Sequence, residues 1–117
     1  SSDLRSTGAT VLLKGVPTVV SDGVVTNVVA AGTAVLATGG SGDVLGGIVA
    51  TLLAQTENPL TAASCAAWVH GRAAEVAGAG RVRGISLDDV IAALALAWPS
   101  SGAAPCLPVL AELPAAP

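Results

Sequence analysis

The chain has 117 residues, of which 52% are hydrophobic and 11% charged, and its formal net charge is −3. This length allows one modest domain, and the apolar content excludes a chain that is disordered throughout. The five basic residues form no Lys/Arg cluster, which argues against a nucleic-acid partner, because binding to nucleic acid depends on neutralising phosphates.

The uncharged stretches and the cysteines indicate whether the chain spans a membrane and which redox environment it occupies. Glycine, polar residues and proline interrupt 23–42 and 90–111, so neither predicts a membrane span of about 20 apolar residues. Cys65 and Cys106 lack metal-ligand spacing, and Cys65, among alanines, is predicted to be a small buried residue. No signal-peptide pattern is present, so we expect a reducing, cytoplasmic environment.

The first quarter of the chain predicts three strands. Residues 1–8 have the pattern of a helix end that leads into a strand at 9–14, and we predict this strand to be buried. Within 18–29, two Val/Thr runs flank Asp22-Gly23, a pair that is typical of tight hairpin turns. This part therefore predicts one strand followed by a β-hairpin.

A loop and three helices are predicted next. Residues 30–42 are rich in Ala, Gly and Thr and predict a loop, and a helical apolar periodicity follows from Asp43 to about Gln55. The Asn-Pro pair at 58–59 is typical of a helix start, and Gly78 or Gly80 ends that helix.

Ser86 is the predicted N-cap of the third helix. Asp89 stands three residues later, as in a capping box, and Pro99 ends the helix. Residues 99–117 contain several prolines without periodicity, so we predict a Pro/Ala-rich tail that is open to disorder. The resulting division is a folded part at 1–98 and a tail at 99–117.

The predicted elements form only half of an α/β layer. Strand edges and a helix face are left needing partners. The sequence also contains no methionine, so residue 1 is not a translational start. We therefore expect the chain to be part of a larger α/β fold.

The stretch LATGGSGDVLGG at 36–47 places glycines around a single carboxylate, Asp43, at the start of a predicted helix. Glycines let a backbone approach an anion closely, and the first N–H groups of a helix are unpaired and lie at the positive end of its dipole. Such a loop can hold a phosphate, and an ionised Asp43 beside it can accept a hydroxyl proton.

Two well-known glycine motifs do not fit this loop. A P-loop requires a lysine after its second glycine, and a dinucleotide fingerprint requires Gly-x-Gly-x-x-Gly, whereas Leu45 stands at the last position here. On residue types alone, a helix cap after a flexible turn, with Ser41 or Asp43 as the cap, is an equal alternative to an anion site.

The longer pattern resembles a known family. VLLKG at 11–15 and LATGGSGDVLGGIVA at 36–50 are similar to the ADP/ATP-dependent NAD(P)H-hydrate dehydratases, whose motif contains Ala-Thr-Gly-Gly-x-Gly-Asp-Val-Leu-x-Gly. AAWVHGRAAE at 66–75 resembles the helix that follows in that family, and the resemblance covers about 9–98. It implies a ribokinase-like, three-layer α/β/α fold, of which only the C-terminal portion is present.

The resemblance also implies a reaction and its residues. These enzymes use ADP or ATP to remove the hydroxyl of hydrated NADH or NADPH and restore the cofactor. By the family pattern, the catalytic residue at the substrate hydroxyl is Asp43. The nucleotide-binding candidates are Lys14, Gly15 and Thr18, together with Gly39, Gly40, Ser41 and Gly42.

The chain departs from the family pattern at 31–34, where Ala-Gly-Thr-Ala replaces Thr-Gly-Asn-Pro. Thr33 keeps a hydroxyl and is the candidate for the substrate contact of the missing Asn. The resemblance implies Mg²⁺, but no ligands for it can be identified in this chain. His70 is predicted to be a packed or surface residue of its helix rather than a catalyst, and Trp68 and Trp98 are predicted core residues.

Several alternatives stay open at this stage. The same loop and Asp43 would serve a ribokinase-like kinase that phosphorylates a small alcohol. A non-catalytic nucleotide-binding piece is a third alternative, since much of the fold is expected to lie outside this chain. The sequence leaves open the choice between ADP and ATP, whether the protein is a homo-oligomer, and whether the chain is active alone.

Overall fold

The computed structural model describes residues 2–98 and 110–112. The elements in chain order are helix α1 (Ser2–Thr7), strands β1 (Val11–Leu13), β2 (Thr18–Ser21) and β3 (Thr26–Val29), a 3₁₀ helix (Ala34–Leu36), helices α2 (Ser41–Gln55), α3 (Pro59–Gly78) and α4 (Leu87–Ala97), and strand β4 (Leu110–Glu112). The predicted order of one strand, a hairpin and three helices is confirmed, and the domain is mixed α/β.

The four strands form one antiparallel sheet in the order β1-β2-β3-β4. The prediction that the first strand is buried was wrong, because β1 lies at the edge of the sheet. Val11 is 45% and Leu13 68% exposed, and only Leu12 between them packs on the core. A period of two places neighbouring side chains on opposite faces, and only one face of β1 is covered within the described residues.

The hairpin turn forms where Asp22-Gly23 predicted it, with a four-residue loop between β2 and β3. The Asp22 carboxylate accepts hydrogen bonds from the N–H groups of Val24 and Val25, each at 2.8 Å. These bonds lower the pKa of Asp22. Gly23 has φ +88°, and a Cβ there would lie 2.8 Å from the Arg5 nitrogen, so both the turn and the contact with α1 require glycine.

Strand β4 comes from the Pro-rich segment. Leu110 pairs with Val29 and Glu112 with Asn27, which extends the sheet beyond β3. The rest of 99–117, including Cys106, lies outside the described residues. The division of the chain at residue 98 therefore stays a prediction.

Local capping determines where the three long helices begin. The Asn58 side chain accepts from the Thr61 N–H at 3.0 Å, and Ser86 and Asp89 form the predicted capping box of α4. Each such cap is worth about 1 kcal/mol. Helix α2 begins at Ser41, two residues before the predicted start, because Gly40 in the left-handed region takes the N-cap position.

The core consists of two clusters that share α3. In the first, α3 packs on α4 and the 3₁₀ helix, through Leu36, Val69, Ala73, Ala74, Val90, Ala93 and Ala97. In the second, α3 packs on α2 through Leu45, Leu52, Ala62 and Ala66. The many alanines of α3 permit close approach of its neighbours, so the helix forms the centre of the domain.

Two predicted core residues are less buried than expected. Cys65 is only partly buried, at the margin of the cluster between α2 and α3, and this burial raises the pKa of its thiol. Trp98 is 45% exposed because it follows Ala97, the last buried residue of α4. Within 2–98 and 110–112, no helix combines the length and the apolar character needed to cross a lipid bilayer.

Candidate active site

The glycine-rich loop turns directly into α2. Gly40 has φ +85°, in the left-handed region that favours glycine, and no side chain caps the helix. The buried Ser41 donates its hydroxyl to the Leu36 carbonyl at 2.6 Å. Since its hydroxyl is used within the fold, the Ser41 side chain supports the loop rather than a ligand.

Three backbone N–H groups of this loop are free to bind a ligand. The N–H groups of Ser41 and Asp43 donate to the carbonyls of Thr38 and Gly40, at 3.3 and 3.0 Å. Those of Gly39, Gly40 and Gly42 have no acceptor within the part of the chain that the structure describes. Unpaired N–H groups at a helix N-terminus form a favourable environment for a phosphate.

The space beside Gly39 and Gly42 is empty. A Cβ at either position would meet no heavy atom within 4 Å, and neither residue has a positive φ. The described fold therefore does not require glycine at these two positions. Glycine there keeps the backbone open to close approach by a ligand.

Asp43 lies in the first turn of α2, next to these N–H groups, and its side chain is exposed. Within 2–98 and 110–112 the carboxylate takes part in no hydrogen bond or ion pair. Helix dipoles favour a negative charge at this position. Asp43 is therefore an exposed carboxylate beside the unpaired N–H groups of the loop, and its catalytic role stays a prediction.

A cavity of about 230 Å³ that contains the Lys14 side chain in its wall lies next to the loop. Its lining includes four of the predicted site residues, Lys14, Gly15, Thr18 and Thr33. The lining also includes His70 and a set of small or apolar residues, namely Val16, Ala31, Gly32, Ala34, Leu36, Ala37 and Ala67. The structure thus brings three predicted nucleotide residues, Lys14, Gly15 and Thr18, to one cavity together with Thr33, the predicted substrate residue.

The Leu36 carbonyl joins this cavity to the glycine-rich loop. It accepts a hydrogen bond from the Lys14 ammonium at 2.9 Å and another from the Ser41 hydroxyl at 2.6 Å. Asp43 and Gly39–Gly42 do not line the cavity itself. The predicted site residues therefore form two adjoining parts, a cavity and an exposed loop, connected through Leu36.

The threonine hydroxyls in the cavity already have local partners. Thr18 donates to the Gly15 carbonyl at 3.0 Å and accepts from the Gly15 N–H at 3.3 Å, so it closes the turn between β1 and β2. Thr33 caps the 3₁₀ helix by accepting from the Val35 N–H. Both side chains shape the cavity wall.

The cavity wall at 31–33 is fastened to α3. The Glu75 carboxylate accepts from the Gly32 N–H at 3.0 Å and pairs with Arg72 at 2.7 Å. Burial opposes the charge of Glu75, but these two partners outweigh it and lower its pKa. A Cβ on Gly71 would lie 2.3 Å from the Ala31 carbonyl oxygen, so glycine is required for this contact.

His70 is a cavity residue that the sequence did not single out. The sequence left open whether it is a packed or a surface residue, and the structure shows it 2% exposed and in the wall of the cavity. Burial, and then the charge of Lys14, lower its pKa. Its spacing of three to four residues from Ala66, Ala67 and Ala73 already placed it on the buried face of α3.

No metal site is formed by the described part of the chain. Across 2–98 and 110–112, no three His, Cys, Asp or Glu side chains gather closely enough to hold an ion. The described residues therefore identify no ligands for the Mg²⁺ that the resemblance implies, and the proposed mechanism assigns it no step.

A second, larger cavity of about 460 Å³ lies among α2, α3 and α4. Its lining is mostly apolar, with Ile48, Leu52, Ile91, Leu94 and Trp98 among its residues, and it includes no charged side chain. Because it lacks both charge and any predicted site residue, it is a weaker candidate for a nucleotide than the cavity beside Lys14.

A comparison with protein families shows which family the chain belongs to. The family model for NAD(P)H-hydrate dehydratase matches residues 3–95, which include both the cavity and the glycine-rich loop. The chain belongs to this family. The family resemblance stated from the sequence is thereby confirmed.

Individual relatives agree with the family model. An ADP-dependent (S)-NAD(P)H-hydrate dehydratase of Neisseria meningitidis serogroup B is 54% identical over 70 residues, 59% of this chain and 24% of the relative. A bifunctional NAD(P)H-hydrate repair enzyme of Pyrobaculum aerophilum is 46% identical over 84 residues, 72% of this chain and 17% of the relative. A bifunctional repair enzyme of Leishmania infantum is 42% identical over 104 residues.

The Leishmania match covers 84% of this chain and 19% of the relative. The chain thus spans 17% to 24% of the length of these three relatives. The match establishes the family of this part, and the activity of a whole enzyme is a matter for proposal.

Proposed function

We propose that this chain forms the nucleotide-binding part of an enzyme that uses ADP to dehydrate hydrated NADH or NADPH. The observation that carries the proposal is the free Asp43 carboxylate beside the unpaired N–H groups of Gly39, Gly40 and Gly42. Family membership supports the same conclusion. The described elements would be the C-terminal portion of a ribokinase-like, three-layer α/β/α fold.

ADP is the proposed co-substrate because the Neisseria relative is named ADP-dependent. In this proposal, the phosphates lie on the free N–H groups of the glycine-rich loop, and the rest of the nucleotide extends to the cavity. The Lys14 ammonium, which uses one of its three donors on Leu36, has further donors for the nucleotide. Gly15 and Thr18 form the turn beside it.

Asp43 acts at the hydroxyl that is to be removed. The hydroxyl oxygen of the hydrated nicotinamide attacks the terminal phosphorus of ADP, the bond to the bridging oxygen breaks, and Asp43 accepts the hydroxyl proton. Loss of phosphate from the ring carbon, with loss of a proton from its neighbour, then restores the double bond. The loop N–H groups stabilise the negative charge that develops on the transferred phosphoryl group.

The direct test is the dehydration assay with Asp43→Asn in the complete polypeptide that carries this chain. Asn is a comparable residue for a first helical turn, so the fold should be retained while turnover of hydrated NADH with ADP falls by about 10²-fold or more. Asp88→Asn is the matched control, because Asp88 is also an exposed carboxylate in the first turn of a helix. The control should keep full turnover.

Three results would contradict the proposal. Full turnover by Asp43→Asn would remove this residue from the mechanism. Phosphorylation of a small alcohol in a substrate panel, without dehydration of hydrated NADH, would favour a ribokinase-like kinase instead. Failure of the wild-type protein to bind any nucleotide would favour a non-catalytic role.

A further inference from the structure

His70 carries a polar atom that the proposed mechanism does not use. The imidazole lies on α3 and is 2% exposed, and its Nε2 has no hydrogen-bond partner among the described residues. Buried polar atoms in native proteins nearly always have a partner, which is the protein, an ordered water or a ligand, and the described residues supply none for this nitrogen. The position of His70 in the wall of the 230 Å³ cavity gives such a group a place.

The neighbouring polar side chains do not supply that partner. The Thr18 hydroxyl is engaged with Gly15, and the Thr33 hydroxyl accepts from the Val35 N–H. The Lys14 ammonium donates to the Leu36 carbonyl and is a hydrogen-bond donor only. Its positive charge repels a protonated imidazole. Burial and this charge lower the pKa of His70, so the imidazole is neutral at neutral pH.

The chemistry of the cavity favours an uncharged, flat ligand group. A neutral imidazole nitrogen donates or accepts one hydrogen bond according to its tautomer, which suits the edge of a heterocyclic ring better than a phosphate. The surrounding wall consists largely of Val, Ala, Gly and Leu residues, which suit an aromatic ring better than a polyhydroxylated sugar. The volume lies below the roughly 300–1,000 Å³ of complete small-molecule sites, so it would hold one part of a ligand.

We propose that His70 Nε2 forms a hydrogen bond with the heterocyclic base of the bound nucleotide and contributes to the selection of that base. This inference rests on the proposed function, since it uses the nucleotide whose phosphates lie on the glycine-rich loop. It assigns the cavity to the base and makes His70 a specificity residue. The Gly71 contact with Ala31 fixes the wall that faces the base.

Binding measurements on the complete polypeptide test this role. We expect His70→Leu to weaken ADP binding about tenfold, the loss of one hydrogen bond, and to leave the binding of inorganic pyrophosphate unchanged. His70→Gln, whose amide can reach the position of Nε2, should keep ADP affinity within about threefold. The preference for ADP over GDP should fall in His70→Leu and persist in His70→Gln.

An NMR measurement on the wild-type protein keeps the test independent of whether His70→Leu folds. The His70 Nε2 resonance, assigned by its absence from the spectrum of His70→Gln, should shift when ADP is added and stay in place when pyrophosphate is added. An unmoved resonance with ADP would overturn the inference. Two results with His70→Leu would also overturn the inference. One is ADP binding as tight as that of the wild type, and the other is an equal loss of affinity for ADP and pyrophosphate.

Failure of the inference is distinguishable from failure of the proposed function. If the wild type binds ADP and Gly42→Ala weakens that binding, but His70 neither shifts nor affects affinity, only the role of His70 is refuted. If the wild type binds neither ADP nor pyrophosphate, the proposed function is refuted and the role of His70 with it.

Discussion

At the scale of single residues, substitutions at Gly42 and Gly46 distinguish an effect on anion binding from an effect on helix stability. Both lie in α2, neither has a positive φ, and a Cβ at either would meet nothing within 4 Å. Gly46→Ala should raise the free energy of unfolding by about 1 kcal/mol, because alanine is the better helix residue. Gly42→Ala should not destabilise the fold either.

Only Gly42→Ala should weaken ADP binding, since its methyl group would occupy the space that a phosphate needs. Calorimetry gives the affinities, and urea unfolding gives the stabilities. Equal ADP affinity in the two variants would show that phosphate does not approach Gly42.

The lowered pKa of His70 also predicts how the stability of the fold depends on pH. Its pKa is lowered in the folded chain, whereas the unfolded chain has an ordinary value near 6.5. Below about pH 6.5 the unfolded state therefore binds more protons, so the His70 contribution is fully present above that pH and falls as pH drops towards the folded-state pKa. Urea unfolding between pH 7.5 and about 5 should show this slope, and His70→Gln should remove it.

Lys14 is the second cause of the lowered pKa of His70, after burial. Lys14→Met removes the positive charge, so the pKa of His70 should rise, yet stay below its ordinary value because the burial persists. NMR measures this pKa through the His70 resonance, which is assigned by its absence from the spectrum of His70→Gln. An unchanged pKa would show that the ammonium does not lie beside the imidazole.

At the scale of elements, α3 supports the cavity wall through the close contact between Gly71 and Ala31. Gly71→Ala would place a methyl group 2.3 Å from the Ala31 carbonyl oxygen, so the 31–33 loop must move away from the helix. We expect a loss of about 1–3 kcal/mol in stability together with weaker ADP binding. The measurements are urea unfolding and calorimetry.

Gly78→Ala is the matched control, because Gly78 is another buried glycine of α3 and its Cβ would meet Ile85 at an ordinary 3.5 Å. This variant should fold and bind as the wild type does. Equal effects of the two substitutions would contradict the role given to the contact between Gly71 and Ala31.

The positions of several helix starts and of the hairpin could be predicted from the sequence. The starts of α3 and α4 follow from the Asn58 cap and from the Ser86–Asp89 capping box, and the hairpin follows from Asp22-Gly23, because these signals act within a few residues. The exposure of β1 was mispredicted because it depends on which strand lies beside it. A run of apolar residues carries no information about that neighbour.

The site was predictable to a similar degree. The glycine-rich loop and Asp43 stand in one contiguous motif, and the structure finds the N–H groups and the carboxylate unpaired, as an anion site requires. His70 was missed as a cavity residue because its surroundings come from β1, β2 and the 31–37 loop, far from it in sequence. The Leu36 carbonyl was also missed, since a backbone acceptor leaves no mark on residue type.

At the scale of the whole molecule, the exposed apolar residues fit a chain that spans about a fifth of its relatives. Leu13 and Val11 lie exposed at the edge of the sheet, and Leu96 and Trp98 lie exposed on and after α4. In the proposed three-layer fold, the preceding part of the domain would cover such surfaces. The substrate pocket would then form between that part and Asp43.

The central claim is that a phosphoryl group passes from ADP to the substrate hydroxyl before that oxygen leaves. The most direct measurement is to prepare hydrated NADH with ¹⁸O in the added hydroxyl, incubate it with ADP and the complete polypeptide, and determine the isotope content of the released phosphate by mass spectrometry. We expect the label to appear in inorganic phosphate and the rate of its transfer to fall by about 10²-fold or more in Asp43→Asn. Label recovered in water, with unlabelled phosphate, would contradict it.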